Sequence, residues 1–587
     1  MKTRPYHPNE ATIAKAANLV RQGRWPEAEQ LLGQVLGADP REPDGLQLLG
    51  LVREQQDRRK EAELLLRRSL ALRPEQPHVQ VHLGRVLARM GRHPEAIDLL
   101  QAAALARPDL FDAFLLLAQV QVTTGQFALA EKNYRAALRL APKSGAALLG
   151  LGVLLNQTNR PAEGETVLRI AAETLERPAP SQARILYHLG VSLELQGRPE
   201  EAIDAWRHAV ARDPLNKDAH RELNALLYRL GRDGAFLASY DDAMRRVPLS
   251  RAPKSGMPDS GQLMLQKADF FIHAERFEEA RDCFARLAAL APGSAGPQNG
   301  LAVAFAGLGQ WERAIAAYEK SLKLQPGDLA TQVRLACVLL RSGDAARALR
   351  LTEAVVPQMK FDQATLAVHE LALRANNDAR AESLADYARH IRIFDLDAPA
   401  GFCSMADFNA ALNAHLDTMH TDRREPIEQT LRHGTQTAPS LLAGRNALLQ
   451  ALRLRIEEAV CAYIAGMPHD AEHPLAGRRA KGFAFAGSWS SRLRDCGFHT
   501  NHVHPKGWIS SAYYIALPDS VTDANTREGW IQFGAPDFEA GLKNPVRRVE
   551  QPAPGKLVLF PSYMWHGTIP FHSQQSRTTI AFDVVPR

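Results

Sequence analysis

The chain has 587 residues, too many for one hydrophobic core, so two or more domains are expected. Its 45% hydrophobic and 23% charged residues are ordinary for a soluble globular protein. The formal net charge of +6 is mild, acidic and basic residues alternate, and no basic block stands out, so nucleic-acid binding is not expected.

The opening M-K-T-R-P-Y-H-P-N-E lacks the apolar stretch of a signal peptide. No apolar run reaches the ~18 residues that a membrane span needs. Cys283, Cys337, Cys403, Cys461 and Cys496 are scattered and never in C-x-x-C spacing. That pattern suits reduced thiols, argues against cysteine-bound zinc, and makes a cytoplasmic location the expectation.

The first two-thirds of the chain repeats. Pro40, Pro74, Pro108 and Pro142 are spaced by 34 residues. Pro214 and Pro248 resume the spacing after an insertion near Pro178–Pro180, and Pro292 and Pro326 resume it after the Pro/Ser/Gly stretch Val247–Ser260. Alanines keep register 12 residues before all of these prolines except Pro248, from Ala28 and Ala62 to Ala280 and Ala314. Glycines fall 17 before several of them, at Gly23, Gly91, Gly125, Gly197, Gly231 and Gly309. Such a unit is helix–turn–helix: the glycine permits the turn, the alanine lets two helices approach, and the proline ends the second helix. It resembles the tetratricopeptide repeat. The resemblance implies a helical solenoid of about ten units over residues 9–395, with a groove that takes a protein or peptide.

From Leu396 to about Leu475 the period is gone. Met405–Met419 predicts one helix, and Ser440–Met467 predicts a long amphipathic helix that packs on whatever follows. His415, His420, His433, His469 and His473 lie in this lead-in and read as structural or solvated. From residue 481 to 587 the texture becomes short strands punctuated by Gly, Pro and Asp/Asn. Eight are expected: Gly482–Trp489, Gly497–His504, Trp508–Leu517, Gly529–Gly534, Val546–Gln551, Lys556–Phe560, Trp565–Phe571 and Arg577–Val585. Together they predict an all-β double-sheet jelly roll, a double-stranded β-helix with flanking helices, whose mouth can hold a metal.

Candidate ligands follow. His502 and His504 sit at i and i+2, and on a strand they share a face. His566 follows a Pro-Ser turn, and Arg577 opens the last strand eleven residues later. His499 has the opposite parity and is expected not to be a ligand. The stretches G-F-H-T-N-H-V-H-P-K-G-W-I-S-S-A-Y-Y, G-K-L-V-L-F-P-S-Y-M-W-H and R-T-T-I-A-F-D resemble the Fe(II)/2-oxoglutarate oxygenases that are often joined to tetratricopeptide repeats. G-T-Q-T at Gly434–Thr437 and G-S-W-S at Gly487–Ser490 belong to the same likeness.

The resemblance implies an oxygenase domain over 396–587, with a helical lead-in to 475 and the roll from 481. It implies Fe(II) held by His502, His504 and His566. It also implies 2-oxoglutarate as cosubstrate with O₂, and Arg577 on the distal carboxylate of 2-oxoglutarate. Thr579 shares the face of Arg577. Of the two adjacent tyrosines, Tyr513 is expected to point inward, on parity with Ile509, Ile515 and Leu517, and so to help hold the cosubstrate. His504 stands where the superfamily's usual H-x-D/E motif has a carboxylate. The rival is a cupin-like or degenerate metal-binding roll behind a repeat scaffold. Gly555, Pro561 and His566 have the spacing of a cupin's second motif, but Pro505–Ser511 lacks the glutamate that a cupin's first motif requires.

Overall fold

The computed structural model describes residues 9–174, 180–248, 259–444 and 446–587. The insertion near Pro178–Pro180 and most of Val247–Ser260 lie outside the described residues. By compactness the chain divides into two units, Met1–Asp213 and Pro214–Arg587.

The first unit consists of six antiparallel helix pairs among the described residues, from Glu10–Arg21 with Trp25–Ala38 to Pro180–Leu195 with Pro199–Arg212. The turn glycines do what the period requires: Gly23, Gly91, Gly125 and Gly197 all have positive φ, between 71° and 77°. At Asp57 and Asn159 the same register position is left-handed without glycine. The earlier small position has a packing reason. A Cβ on Gly190 would collide with the Trp206 indole, whose Nε1 donates to the Tyr187 carbonyl at 3.0 Å.

The second unit begins with five more helix pairs, from Lys217–Arg229 with Ala238–Arg246 to Gln363–Ala375 with Arg380–Leu384. The prolines had indicated about ten repeats; eleven pairs are present among the described residues. Nine strands follow: β1 Arg392–Asp395, β2 Leu431–Gln436, β3 Phe483–His499, β4 Ile509–Ala516, β5 Ile531–Phe533, β6 Arg548–Glu550, β7 Lys556–Pro561, β8 His566–Thr568 and β9 Arg577–Pro586. They form two antiparallel sheets, a major one in the order β1-β7-β4-β9-β3-β2 and a minor one in the order β6-β5-β8.

Two strand expectations are corrected. Gly482–Trp489 and Gly497–His504 are not separate strands; one long strand, β3, runs through both regions and stops at His499. It bends where its register against β9 shifts between Phe485 and Gly487, and Cys496 takes a left-handed φ of 61°. The major sheet also gains β1 and β2, which the punctuation had not marked, and β1 comes from the tail of the last repeat.

One face of the major sheet is apolar. Tyr513, Leu557, Leu559 and Ile580 pack there with Phe408 and Leu412 of the helix Met405–Asp417, and with Leu452, Ile456 and Tyr463 of the helix Ala447–Ala465. The same buried cluster continues into Val338, Leu339, Leu366 and Leu371 of the last repeats. Polar ties follow that path: Trp565 Nε1 donates to the Ala367 carbonyl, and Arg374 donates to the carbonyls of Gly534, Asn544 and Pro545. The final repeats and the sheets therefore share one core. No helix among the described residues is long and apolar enough to cross a membrane.

Candidate metal centre

His502 and His504 do not lie on a strand. They sit in the irregular segment between β3 and β4, so the shared-face argument from strand parity does not apply. Their convergence has another cause. His502 and His566 form an isolated antiparallel bridge, with backbone N–H···O=C bonds of 2.8 and 3.0 Å. The His504 N–H donates to the Ser562 carbonyl at 2.9 Å. The segment is thus pinned at two points to the turn that leads into β8, and three imidazoles meet. Their centroids are 4.3 Å (His502–His566), 5.0 Å (His502–His504) and 5.0 Å (His504–His566) apart. One ligand atom from each lies within 4.8 Å of the others.

Each ring has its outer nitrogen engaged. His502 Nδ1 donates to the Thr500 carbonyl at 2.7 Å, and His566 Nδ1 donates to the Met564 carbonyl at 2.9 Å. A carbonyl only accepts, so both Nδ1 atoms carry hydrogen and both Nε2 atoms keep their lone pairs. His504 Nδ1 is held by Asp583 Oδ1 at 2.6 Å, which turns its Nε2 toward the other two rings. His502 Nε2 and His504 Nε2 stand 3.1 Å apart. Two ring nitrogens this close share either a proton or a cation. The separation is also close to the ~3 Å expected of adjacent nitrogen ligands on one ion at a bond length of ~2.1 Å. Burial, with the His504 ring alongside, holds His502 at a pKa of about 3, and burial holds His566 well below the usual histidine range. Both imidazoles are therefore neutral and able to ligate near neutral pH. The donor set fits a divalent transition metal, and locked outer nitrogens of this kind are the usual companions of metal-bound histidine.

The three histidines line a cavity of about 420 Å³, together with Trp489, Ser491, Arg577 and Thr579. Trp489 stacks on His504 with centroids 5.7 Å apart. Arg577 is 2% exposed, and among the described residues no carboxylate lies within ion-pair distance of it. Its Nε donates to the Gly529 carbonyl at 3.1 Å, and its guanidinium lies 5.2 Å from the Tyr514 ring centroid. Burial lowers its pKa, the signature of a cation held without a compensating charge. Around it, β3, β9 and β4 set Ser491, Thr579 and Tyr514 side by side, since Ser491 and Tyr514 are both register partners of Thr579. The Ser491 hydroxyl is buried and, among the described residues, has no hydrogen-bond partner, while the buried Tyr514 hydroxyl faces the Arg577 guanidinium. A buried guanidinium without a carboxylate, beside an unpartnered hydroxyl, is a cradle for an anion.

Tyr513 does not take part. It pairs with Ile580 on the opposite face, and its hydroxyl donates to Asn409 Oδ1 at 2.7 Å on the helix Met405–Asp417. Its apolar parity was read correctly, but β4 is buried on both faces, and the apolar face meets helices while the polar one meets the cavity. Tyr514 replaces it. His499 lines the cavity and holds Thr568 Oγ1 with its Nδ1 at 3.2 Å, outside the cluster of three. Of the lead-in histidines, His420 is bound between Thr435 and Ser490, a structural role. Asp583 and Ser491 went unassigned. Asp583 was detectable by parity, since Arg577, Thr579 and Asp583 alternate along β9; nothing in the local pattern singles out Ser491.

Comparison with known proteins matches two kinds of sequence in the chain. A family model described as "Putative 2OG-Fe(II) oxygenase" matches residues 487–583, which contain all three histidines and Arg577. Tetratricopeptide-repeat models match residues 19–80, 53–120, 115–183, 183–216, 265–328 and 299–360. The comparison with curated proteins gives no match. Among solved structures, PilF of Pseudomonas aeruginosa is 20% identical, covering 36% of this chain and 95% of its own, with a TM-score of 0.33. A tetratricopeptide-repeat protein of Parabacteroides merdae is 14% identical, covering 51% of this chain and 98% of its own, with a TM-score of 0.32. The chain carries multiple tetratricopeptide repeats followed by a C-terminal domain of the 2OG-Fe(II) oxygenase family.

Proposed function

We propose that the C-terminal domain is a non-haem Fe(II)/2-oxoglutarate-dependent hydroxylase and that the repeats present it with a protein or peptide substrate. The observation that carries the reading is the convergence of His502, His504 and His566, with one ligand atom of each within 4.8 Å of the others, in one cavity with a buried arginine.

His502, His504 and His566 would hold the iron through Nε2, with Thr500, Asp583 and Met564 fixing each ring. Arg577 would bind the distal carboxylate of 2-oxoglutarate, with Tyr514, Ser491 and Thr579 supplying hydroxyls. The oxidation would come from iron with its cosubstrate and O₂, 2-oxoglutarate ending as succinate and CO₂ and the substrate C–H bond as C–OH. Trp489, stacked on His504, would form one wall against which the reacting groups are held. The other wall is formed by Glu428, Gln429 and Thr430. This segment is tied to the repeats: Arg221 donates to Glu428 at 2.6 Å, and Ile427 packs with Tyr240, Phe270 and Phe284. A substrate lying on those repeats would meet the cavity wall directly.

The test is anaerobic addition of 2-oxoglutarate to Fe(II)-loaded protein. A weak visible charge-transfer band should appear, and Arg577→Ala should remove it at modest cosubstrate concentration. Iron binding with no response to 2-oxoglutarate would transfer support to a cupin-like centre.

A further inference from the structure

A ligand set of three histidines lacks the carboxylate of the two-histidine facial triad, and so lacks one negative charge. Asp583 supplies such a charge one bond further out. Its Oδ1 lies 2.6 Å from His504 Nδ1, while the other outer nitrogens meet only backbone carbonyls. Asp583 is 8% exposed, and among the described residues the basic side chain within 4.0 Å of its carboxylate is the His504 imidazole, with no lysine or arginine that close. A buried carboxylate without a cation is costly, so its place needs an explanation.

The surroundings are built to hold that carboxylate. Ser510, the register partner of Asp583 across β4 and β9, donates its hydroxyl to the same Oδ1 at 2.6 Å. Ser562 in turn stands 2.8 Å from Ser510 Oγ, and both serines are wholly buried. Gly507 lets the backbone close over this group, since a Cβ there would collide with Ser562 Oγ. Ser562 also supplies the carbonyl that anchors His504. One network therefore sets both the ring's position and the charge behind it.

We propose that Asp583 is a positioning residue that restores, through His504, the negative charge missing from the ligand set, giving the His504 nitrogen the donor strength of an anionic ligand. Resting on the metal-centre reading above, it accounts for why a histidine can stand at the carboxylate position without loss of Fe(II). It also separates His504 from His502 and His566, whose outer partners are neutral.

The test measures the Fe(II) affinity and the Fe(III)/Fe(II) potential of full-length wild type, Asp583→Asn and Ser510→Ala, without substrate turnover. Asp583→Asn removes the charge and keeps the shape. Its Fe(II) affinity should fall by about 10- to 100-fold, the usual effect of losing a ligand's outer partner. Its potential should become more positive, because a nearby negative charge favours Fe(III). Ser510→Ala removes a donor from the carboxylate and leaves more of its charge on His504, so its potential should become more negative. Opposite signs are the signature, since general damage would not move the two variants apart. If Asp583→Asn does not fold, the negative shift in Ser510→Ala decides alone. Unchanged affinity and potential in Asp583→Asn, or shifts of the same sign in both variants, would overturn the role of Asp583. Failure of wild type to bind Fe(II) would instead overturn the metal centre itself.

Discussion

Replacing Arg577 with methionine separates a ligand-binding arginine from a structural one by the sign of its effect. Arg577 is 2% exposed, and among the described residues its partners are neutral oxygens, the Gly529 carbonyl at Nε and the Tyr514 hydroxyl. If 2-oxoglutarate is its missing counter-charge, removing it breaks a desolvated ion pair, which costs about 2–5 kcal/mol. At about 1.4 kcal/mol per decade, cosubstrate affinity should fall by roughly 30- to 4,000-fold. The apoprotein should not suffer equally, because exchanging a buried uncompensated charge for an apolar side chain is often neutral or stabilising. The assay pairs anaerobic 2-oxoglutarate titration of the Fe(II) protein with thermal unfolding of the apoprotein. Arg577→Met should keep Fe(II) affinity, lose cosubstrate affinity and melt at or above the wild-type temperature. A variant that melts well below wild type yet binds 2-oxoglutarate normally would refute the reasoning and make Arg577 a core residue.

The two tyrosines should divide cleanly. Tyr514→Phe should weaken 2-oxoglutarate about fivefold, the worth of one hydrogen bond of ~1 kcal/mol. Tyr513→Phe should leave binding alone and cost about 1 kcal/mol of stability in denaturant unfolding through loss of its bond to Asn409. Because the last repeats and the sheets share a core, residues 396–587 expressed alone should aggregate, whereas 214–587 should be soluble with a cooperative melt. Acid should destabilise the fold through its buried histidines. Burial, with the Arg492 charge nearby, holds His420 at about 4 in the folded state, against ~6.5 when unfolded. Between those values only the unfolded chain takes up the proton, so stability is fully present above pH ~6.5 and is lost as pH falls through about 4. His420 alone accounts for roughly 3 kcal/mol of this. In denaturant melts at pH 7.5 and 5, His420→Gln should show a smaller loss than wild type, and an equal loss would exclude His420 as a source.

The repeat was legible because its turn has one backbone demand. A left-handed residue is needed once per unit, and glycine meets that demand at Gly23, Gly91, Gly125 and Gly197. The junction at 213/214 was not legible, since the pattern continues across it and compactness depends on long-range packing. The three histidines stand out by residue type and by resemblance, but strand parity is not what brings them together. His502 and His504 converge because two backbone contacts pin an irregular segment, and such contacts leave no periodic trace. Tyr513 shows a related limit: alternation sorts a strand into two faces without saying which face meets the site. Asp583 and Ser510 face each other across 73 residues of chain, a pairing that only the register of β4 on β9 reveals.

The central claim is that three histidines bind one iron. Wild type, His502→Ala, His504→Ala and His566→Ala would be loaded anaerobically with Fe(II), desalted and assayed for metal per chain, with circular dichroism to check folding. The account predicts one iron per wild-type chain and loss of bound iron in each folded variant. Full iron retention in His504→Ala would leave a two-histidine centre and remove the part assigned to Asp583. Retention in all three variants would contradict the metal centre altogether.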